Sequence, residues 1–345
     1  MPDRLELSYV LPVRHDVEGD DAELTAYLEW LGGVVELLVL DGSPPPVLAA
    51  HRRAWSQTAA VHVAPHPWYT FANGKVDGVL TGLELATHER VMIADEDVRW
   101  DEPALRRAVD LLEQADVVRP QNFFDPLPWH ARWDTARSLL NRAFGADYPG
   151  TLGVRRSTLL AAGGYDGDAM FENLELLRTV RAAGGTDVSP LDLYVRRLPP
   201  TTRQFWSQRA RQAYDDFAQP PRLMATLAVL PTIGWALARR RPAPLLAAVA
   251  VSVAVAEKGR RRAGGVHVFP ASCSLMAPFW LVERAVCSWL AVANRVVWGG
   301  CRYRGRTMYL AATPTRVLRR RLAAGPEGRL RHYRGATAQS GSSVS

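Results

Sequence analysis

Three carboxylates stand in a row at Asp95, Glu96 and Asp97, directly after the apolar run Val91-Met92-Ile93-Ala94. The run reads as a buried strand. Acidic groups at its carboxyl end supply the hard oxygen ligands that a divalent cation takes, often shared with substrate phosphates. In an open α/β sheet this strand end is also where ligands bind. Side chains alternate along a strand, so Asp95 and Asp97 are expected on one face and Glu96 on the other. Other carboxylates and cations fall at similar junctions. Asp41 ends the run Val34–Leu40, Lys75 lies in Asn73-Gly74-Lys75-Val76-Asp77-Gly78, and Asp168 precedes, and Glu172 opens, a helical stretch that also holds Glu175. His62, His66 and His130 have no metal-ligand spacing and read as structural or exposed.

The elements that must position these groups alternate. Leu5–Val13, Val34–Leu40, Val61–Val63, Val91–Ala94 and Ala115–Arg119 read as strands. Between them, Asp21–Leu31, Gly74 to about Thr87 and Pro103–Gln114 have helical spacing or helix-start signals. This alternation predicts a mostly parallel sheet covered by helices on both faces. Beyond Pro120 the pattern loosens. Helices are expected at 134–144, 157–162, 171–183 and 202–217, and extended segments at 150–154 and 193–198.

Charge divides the 345 residues sharply. Residues 1–220 hold 22 Lys+Arg against 32 Asp+Glu, whereas residues 221–345 hold 20 against 3. The basic part also contains long Leu/Ala/Val stretches, which points to an anionic membrane and away from nucleic acid. Leu223–Ala238 and Leu245–Ala256 are each shorter than the roughly 20 residues that span a bilayer, so a tight hairpin or an interfacial placement is expected. Val266–Val297 carries Glu283-Arg284 at its middle, which predicts two half-helices that enter or rest on the membrane. Trp280, Trp289 and Trp298 suit an interfacial belt. The three cysteines, Cys273, Cys287 and Cys301, are odd in number, lack a Cys-x-x-Cys pair and read as packing residues in a reducing compartment. The start Met1-Pro2-Asp3-Arg4 lacks a signal-peptide pattern, so the acidic part is expected in the cytosol.

Taken in order, these pieces resemble a membrane-associated family 2 glycosyltransferase of the GT-A fold, in particular the branch that glycosylates lipids such as ceramide and hopanoids. The resemblance rests on Leu11-Pro12-Val13-Arg14, Asp41-Gly42-Ser43, Gly74-Lys75, Asp95-Glu96-Asp97, Gly153-Val154-Arg155-Arg156, Gly163-Gly164-Tyr165, Phe171-Glu172-Asn173, Gln208-Arg209-Ala210-Arg211-Gln212 and Trp298-Gly299-Gly300. It covers most of residues 5–310. It implies a nucleotide-diphosphate sugar donor, a lipid or lipid-linked acceptor, anionic membrane lipids as further partners and a Mn2+ or Mg2+ cofactor. Asp97 would coordinate the metal with help from Asp95. Asp41 would hydrogen-bond the nucleotide base, Lys75 would contact phosphate or base, and Gln208 and Arg211 would lie under the diphosphate.

Two departures stand out. The usual Glu-Asp pair is Glu172-Asn173 here, and Asn173 cannot take a proton, so Glu172, or else Asp168, is the expected base. The tryptophan of Gln-x-x-Arg-Trp is Gln212, while Arg203 and Arg209 read as solvated.

The expected organisation is a cytosolic GT-A domain at 1–221, apolar membrane-associated helices at 222–298, a basic juxtamembrane segment at 299–324 and a disordered tail at 325–345. The expected activity is an inverting, metal-dependent hexosyltransferase at the cytosolic membrane face. A catalytically silent nucleotide-binding or scaffold relative is the alternative that Asn173 suggests, and a soluble nucleotidyltransferase is a third.

Overall fold

A computed structural model describes residues 4–19, 22–303 and 305–325, and the expected disordered tail lies outside these apart from Gly325. The chain opens with β1 (Ser8–Val13), α1 (Ala22–Val34), β2 (Glu36–Asp41), α2 (Pro45–Ala54) and β3 (Val61–Val63). It continues with α3 (Gly74–Leu85), β4 (Arg90–Ala94), β5 (Val98–Arg99), α4 (Glu102–Leu111) and β6 (Val117–Val118). Next come β7 (Gln121–Phe124), α5 (Trp129–Arg142), β8 (Thr151–Arg155), α6 (Arg156–Ala161), α7 (Glu172–Ala182) and β9 (Asp187–Val188). The last elements are β10 (Tyr194–Arg197), α8 (Thr202–Tyr214), α9 (Pro220–Ala238), α10 (Pro242–Arg261), α11 (Ala271–Leu275), α12 (Ala277–Trp298), β11 (Cys301–Tyr303), β12 (Arg306–Met308) and α13 (Thr315–Ala323).

Two compact units result. The first comprises the chain up to Arg119, Gly150–Val188 and the chain from Thr313 on, and the second comprises Pro120–Pro149 with Ser189–Ala312.

The first unit is built on a seven-stranded sheet in the order β3-β2-β1-β4-β8-β6-β9. β1 runs parallel to both β2 and β4, with Val10 opposite Leu38 on one side and Ile93 on the other. β3 is parallel to β2, whereas β8 is antiparallel to β4 and β6. The sheet is therefore mostly parallel, as the alternating pattern predicts, and its reversal enters at β8. β1 and β2 are buried on both faces, which is why they read as unbroken apolar runs.

Glycine sets how closely α3 approaches this sheet. A Cβ on Gly78 would stand 3.1 Å from Pro12 Cβ, and one on Gly82 would stand 2.5 Å from Val10 Cγ1. Asn73 caps the helix, its side chain accepting from the Lys75 amide at 3.2 Å.

On the far side of the motif loops, α7 packs against α13. Glu175 on α7 is wholly buried and accepts from the Thr313 amide at 2.5 Å. Arg178 donates to the Thr313 carbonyl at 3.2 Å, and Arg321 pairs with Asp166 at 3.1 Å. Burial raises the pKa of the Glu175 carboxyl above its ordinary value, against hydrogen bonds from Thr313.

The second unit contains the parallel pair β7–β10 and a set of helices. α9 and α10 are 19 and 20 residues long, longer than the apolar runs that announce them, because prolines at 220–221 and 242 start each helix early. Pro220–Ala238 and the stretch Pro242–His267 that begins with α10 are long and apolar enough to cross a membrane, with 11% and 17% of their apolar windows buried.

α12 corrects the expected pair of half-helices. It runs unbroken through Glu283 and Arg284 because both charges are matched inside the unit. Arg209 of α8, 3% exposed, donates to Asp134 at 2.8 Å and to Glu283 at 2.5 Å. Arg284 forms two 2.9 Å bonds to Asp216. Burial pushes the Asp134 carboxyl up, but the charges of Arg137 and Arg209 prevail and bring it down to about 2. Arg209 is thus a buried clamp and not a solvated residue. Trp280, expected at an interface, is 3% exposed and lies in a core with Ala136, Leu139, Ala256 and Phe269.

The tight seating of α3 is directly testable. Gly82→Ala is expected to destabilise the protein by about 1–3 kcal/mol through overpacking. Gly33→Ala, which meets nothing within 4 Å on α1, is expected to leave the midpoint unchanged or raise it. Thermal or denaturant unfolding of the two variants separates these outcomes.

Candidate active site

The carboxyl ends of β1, β2 and β4 lie side by side because the three strands are parallel neighbours. Asp41 is the last residue of β2, His15 follows β1, and the acidic motif follows β4. The motif is not a continuing strand. β4 stops at Ala94, and the Val98 amide closes a turn onto the Asp95 carbonyl at 3.1 Å. The Asp95 amide donates to the Gly150 carbonyl at 2.8 Å, which fixes the start of that turn.

Lys75 connects the motif to the candidate base. Its Nζ lies 2.6 Å from Asp95 Oδ1 and 2.8 Å from Glu172 Oε1. Burial disfavours the ammonium, but Asp95 and Glu172 outweigh it and raise the lysine pKa, so Lys75 remains charged. Tyr165, from Gly163-Gly164-Tyr165, is buried within the field of all three groups, and burial raises its phenol pKa, so it stays neutral. Asp168 is placed differently. It is exposed, its Oδ1 accepts from the Ala72 amide at 2.9 Å, and its own amide donates to Asp166 at 3.0 Å. The structure therefore brings together Lys75, Asp95 and Glu172, with Asp168 occupied in bracing a loop.

Asp41 belongs to a second network. It is 0% exposed. Its Oδ1 accepts from the Ser43 amide at 2.9 Å, and its Oδ2 accepts from His51 Nδ1 at 2.7 Å and His62 Nε2 at 3.0 Å. His51 Nε2 is 3.2 Å from His15 Nδ1, and His15 Nε2 is 3.0 Å from Glu96. Glu96 thus has a partner of its own, and the histidines do structural work that their sequence spacing does not reveal. His15 and His51 were detectable only through position, since each lies next to the carboxyl end of a parallel strand.

Among the described residues, no three His, Cys, Asp or Glu side chains are grouped to hold a metal ion by themselves. Asp95 and Asp97 nevertheless supply hard carboxylate oxygens, and Asp97 Oδ1 is buried. The Lys75 ammonium demonstrates that positive charge collects at Asp95. This donor set fits Mg2+ or Mn2+, which takes one or two carboxylates and fills its remaining positions from phosphates and water. Gln208 and Arg211 lie on α8 in the second unit. Both are half-buried, and the Arg211 guanidinium sits 5.1 Å over the ring of Tyr303.

No protein-family model and no curated protein sequence matches this chain. Solved structures do. A mannosyltransferase from Pyrobaculum calidifontis, in complex with GDP-Man and Mn2+, superposes with a TM-score of 0.54 at 20% identity, over 84% of this chain and 88% of that one. Glucosyl-3-phosphoglycerate synthase from Mycobacterium tuberculosis, in complex with Mn2+, UDP and phosphoglyceric acid, gives 0.40 at 20% identity over 60% and 76%. The first of these likenesses establishes the fold: the chain has the mixed α/β architecture of the GT-A nucleotide-diphospho-sugar transferases.

The Asp41 hub has a measurable signature. Burial pushes its carboxyl up, but the bonds from His62, Ser43 and His51 prevail and hold it well below the usual range. A depressed carboxylate stabilises the fold above the ordinary aspartate pKa of about 4 and loses that contribution as pH falls. Asp41→Asn is therefore expected to cost about 1–3 kcal/mol at neutral pH. Its deficit relative to the parent should narrow under acid conditions, as read from thermal midpoints across pH.

Proposed function

We propose that this protein is an inverting glycosyltransferase that moves a sugar from a nucleotide-diphosphate donor to the hydroxyl of a lipid or lipid-linked acceptor, at the cytosolic face of the cell membrane. One observation carries the reading: Lys75 joins a carboxylate of the acidic motif to Glu172 through contacts of 2.6 and 2.8 Å at the carboxyl edge of a parallel sheet. The GT-A fold supports it, as does the GDP-Man and Mn2+ complex of the mannosyltransferase that shares that fold. The membrane setting is supported by two long, largely unburied apolar helices, α9 and α10. The basic residues of 299–324 supply further attraction to anionic headgroups.

In this mechanism Glu172 accepts the proton of the acceptor hydroxyl. The hydroxyl oxygen attacks the anomeric carbon as the carbon–oxygen bond to the diphosphate breaks on the opposite face, so the configuration inverts. Asp97, with Asp95, would hold Mn2+ or Mg2+, which when bound would supply positive charge against the departing diphosphate. Lys75 keeps Glu172 and Asp95 at a fixed separation and adds a permanent cation beside the donor phosphates. Tyr165 walls this cluster from water. Asp41 acts on the nucleotide through the imidazoles it orients. Glu172 serves where the resemblance places an aspartate at Asn173, since it is the carboxylate tied to the donor side.

The test uses full-length protein and two readouts. Thermal shift with UDP- and GDP-sugars, each with and without Mn2+, identifies the donor. Release of nucleoside diphosphate then reports turnover. Glu172→Gln is expected to retain the Mn2+-dependent shift and lose about 10²–10⁴-fold in turnover. Turnover equal to the parent would remove Glu172 from the reaction.

A further inference from the structure

Four aromatic rings from three helices meet at the surface of the second unit. Trp129 and Trp133 come from α5, Trp206 from α8 and Phe279 from α12. Ring centroids lie 6.2 Å apart for Trp129–Trp206, 6.3 Å for Trp133–Trp206 and 5.9 Å for Trp133–Phe279. Large apolar rings normally face inward, yet Trp129 is 50% exposed, Trp206 49% and Phe279 57%. The patch is not loose. Trp133 Nε1 donates to Glu283 at 3.4 Å, and the buried Arg209–Asp134–Glu283 cluster binds the same three helices beneath it.

α12 carries the patch onward. Phe279, Val282 and Val286 are spaced by three and four residues, so they form one stripe, and the two valines are each 42% exposed. The opposite face holds Trp280, Arg284, Ser288 and Ala291, all buried. A contiguous exposed apolar surface of this kind marks an interaction site.

We propose that Trp129, Trp133, Trp206 and Phe279, continued by Val282 and Val286, form a docking face for the headgroup–acyl boundary of a bilayer, with α12 lying in the membrane plane. Three features select this occupant. Tryptophan, with an apolar body and a polar N–H, concentrates at that boundary. Arg203, exposed one helical turn before Trp206, places a cation at the rim for anionic headgroups. The same unit contains α9 and α10, the two helices of membrane-spanning length and composition. Glu283 and Arg284, matched within the protein at mid-helix, suit an in-plane α12. The inference rests on the membrane reading above and specifies which surface faces the lipid.

Nitroxide labels on full-length protein in vesicles of phosphatidylcholine and phosphatidylglycerol test it. Single cysteines are introduced as Trp206→Cys, Val286→Cys, Val251→Cys on the exposed side of α10 and Arg52→Cys on α2, in a background with the three buried native cysteines replaced by alanine. Accessibility to oxygen and to a water-soluble nickel chelate is measured by power saturation. Labels at 206 and 286 are expected to lose several-fold in nickel accessibility and gain oxygen accessibility relative to position 52. If position 251 is lipid-exposed while 206 and 286 resemble 52, the docking face is overturned and the membrane reading stands. If 251 also resembles 52, both fall. Labels at 206 and 286 shielded from both reagents would mean that protein covers the patch, which overturns the lipid assignment.

Discussion

One ammonium group holds the candidate site in place. Lys75 reaches the carboxyl edge of the sheet from the first turn of α3, and it faces two carboxylates that repel each other without it. In a partly buried setting such repulsion is strong, because little water screens it. The ammonium therefore decides how closely Asp95 and Glu172 approach. Its own position depends on α3, which must lie almost directly on β1 and β2. Gly78 and Gly82 allow that approach, so a site electrostatic in character rests on two missing side chains.

A similar logic governs the neighbouring histidine network. Asp41 is wholly buried and remains ionised because three donors converge on it. Through His51 and His15 the network reaches Glu96, which lies between the two aspartates proposed to serve the metal. The carboxyl ends of β2, β1 and β4 are thus tied by hydrogen bonds among side chains as well as by the sheet. In the second unit, Arg209 performs the equivalent service for α5, α8 and α12, with two carboxylates around one guanidinium.

Much of the first unit was legible from local pattern. The apolar runs of β1, β2 and β4 and the glycine-marked start of α3 follow from periodicity and strand burial, and the acidic motif announces the site. What local pattern omits is long-range. Lys75 and Glu172 are 97 positions apart, and no spacing rule joins them. The antiparallel insertion of β8 is similarly silent, since an apolar strand carries no mark of its direction. α2 was hidden because Pro44-Pro45-Pro46 reads as a stop, although proline suits a first helical turn. Two misreadings were avoidable. Arg209 falls at the four-residue spacing of Phe205 and Ala213, which are buried on α8, and Trp280 falls on the Ala277–Arg284–Ala291 face of α12. A face can be internal whatever its chemistry, provided that partners for its charges exist.

The dependence of the first unit on α13 has a bearing on how the protein is made. Thr313 and α13 with its Arg321 complete the surroundings of Glu175 and Asp166, yet the ribosome delivers them after α9, α10 and α12. During synthesis the loop preceding Glu172 lacks its last supports until the apolar helices have left the exit tunnel. Assembly order is thereby written into chain order: the hydrophobic segments have the opportunity to find their destination before the region bearing the acidic turn reaches its finished form.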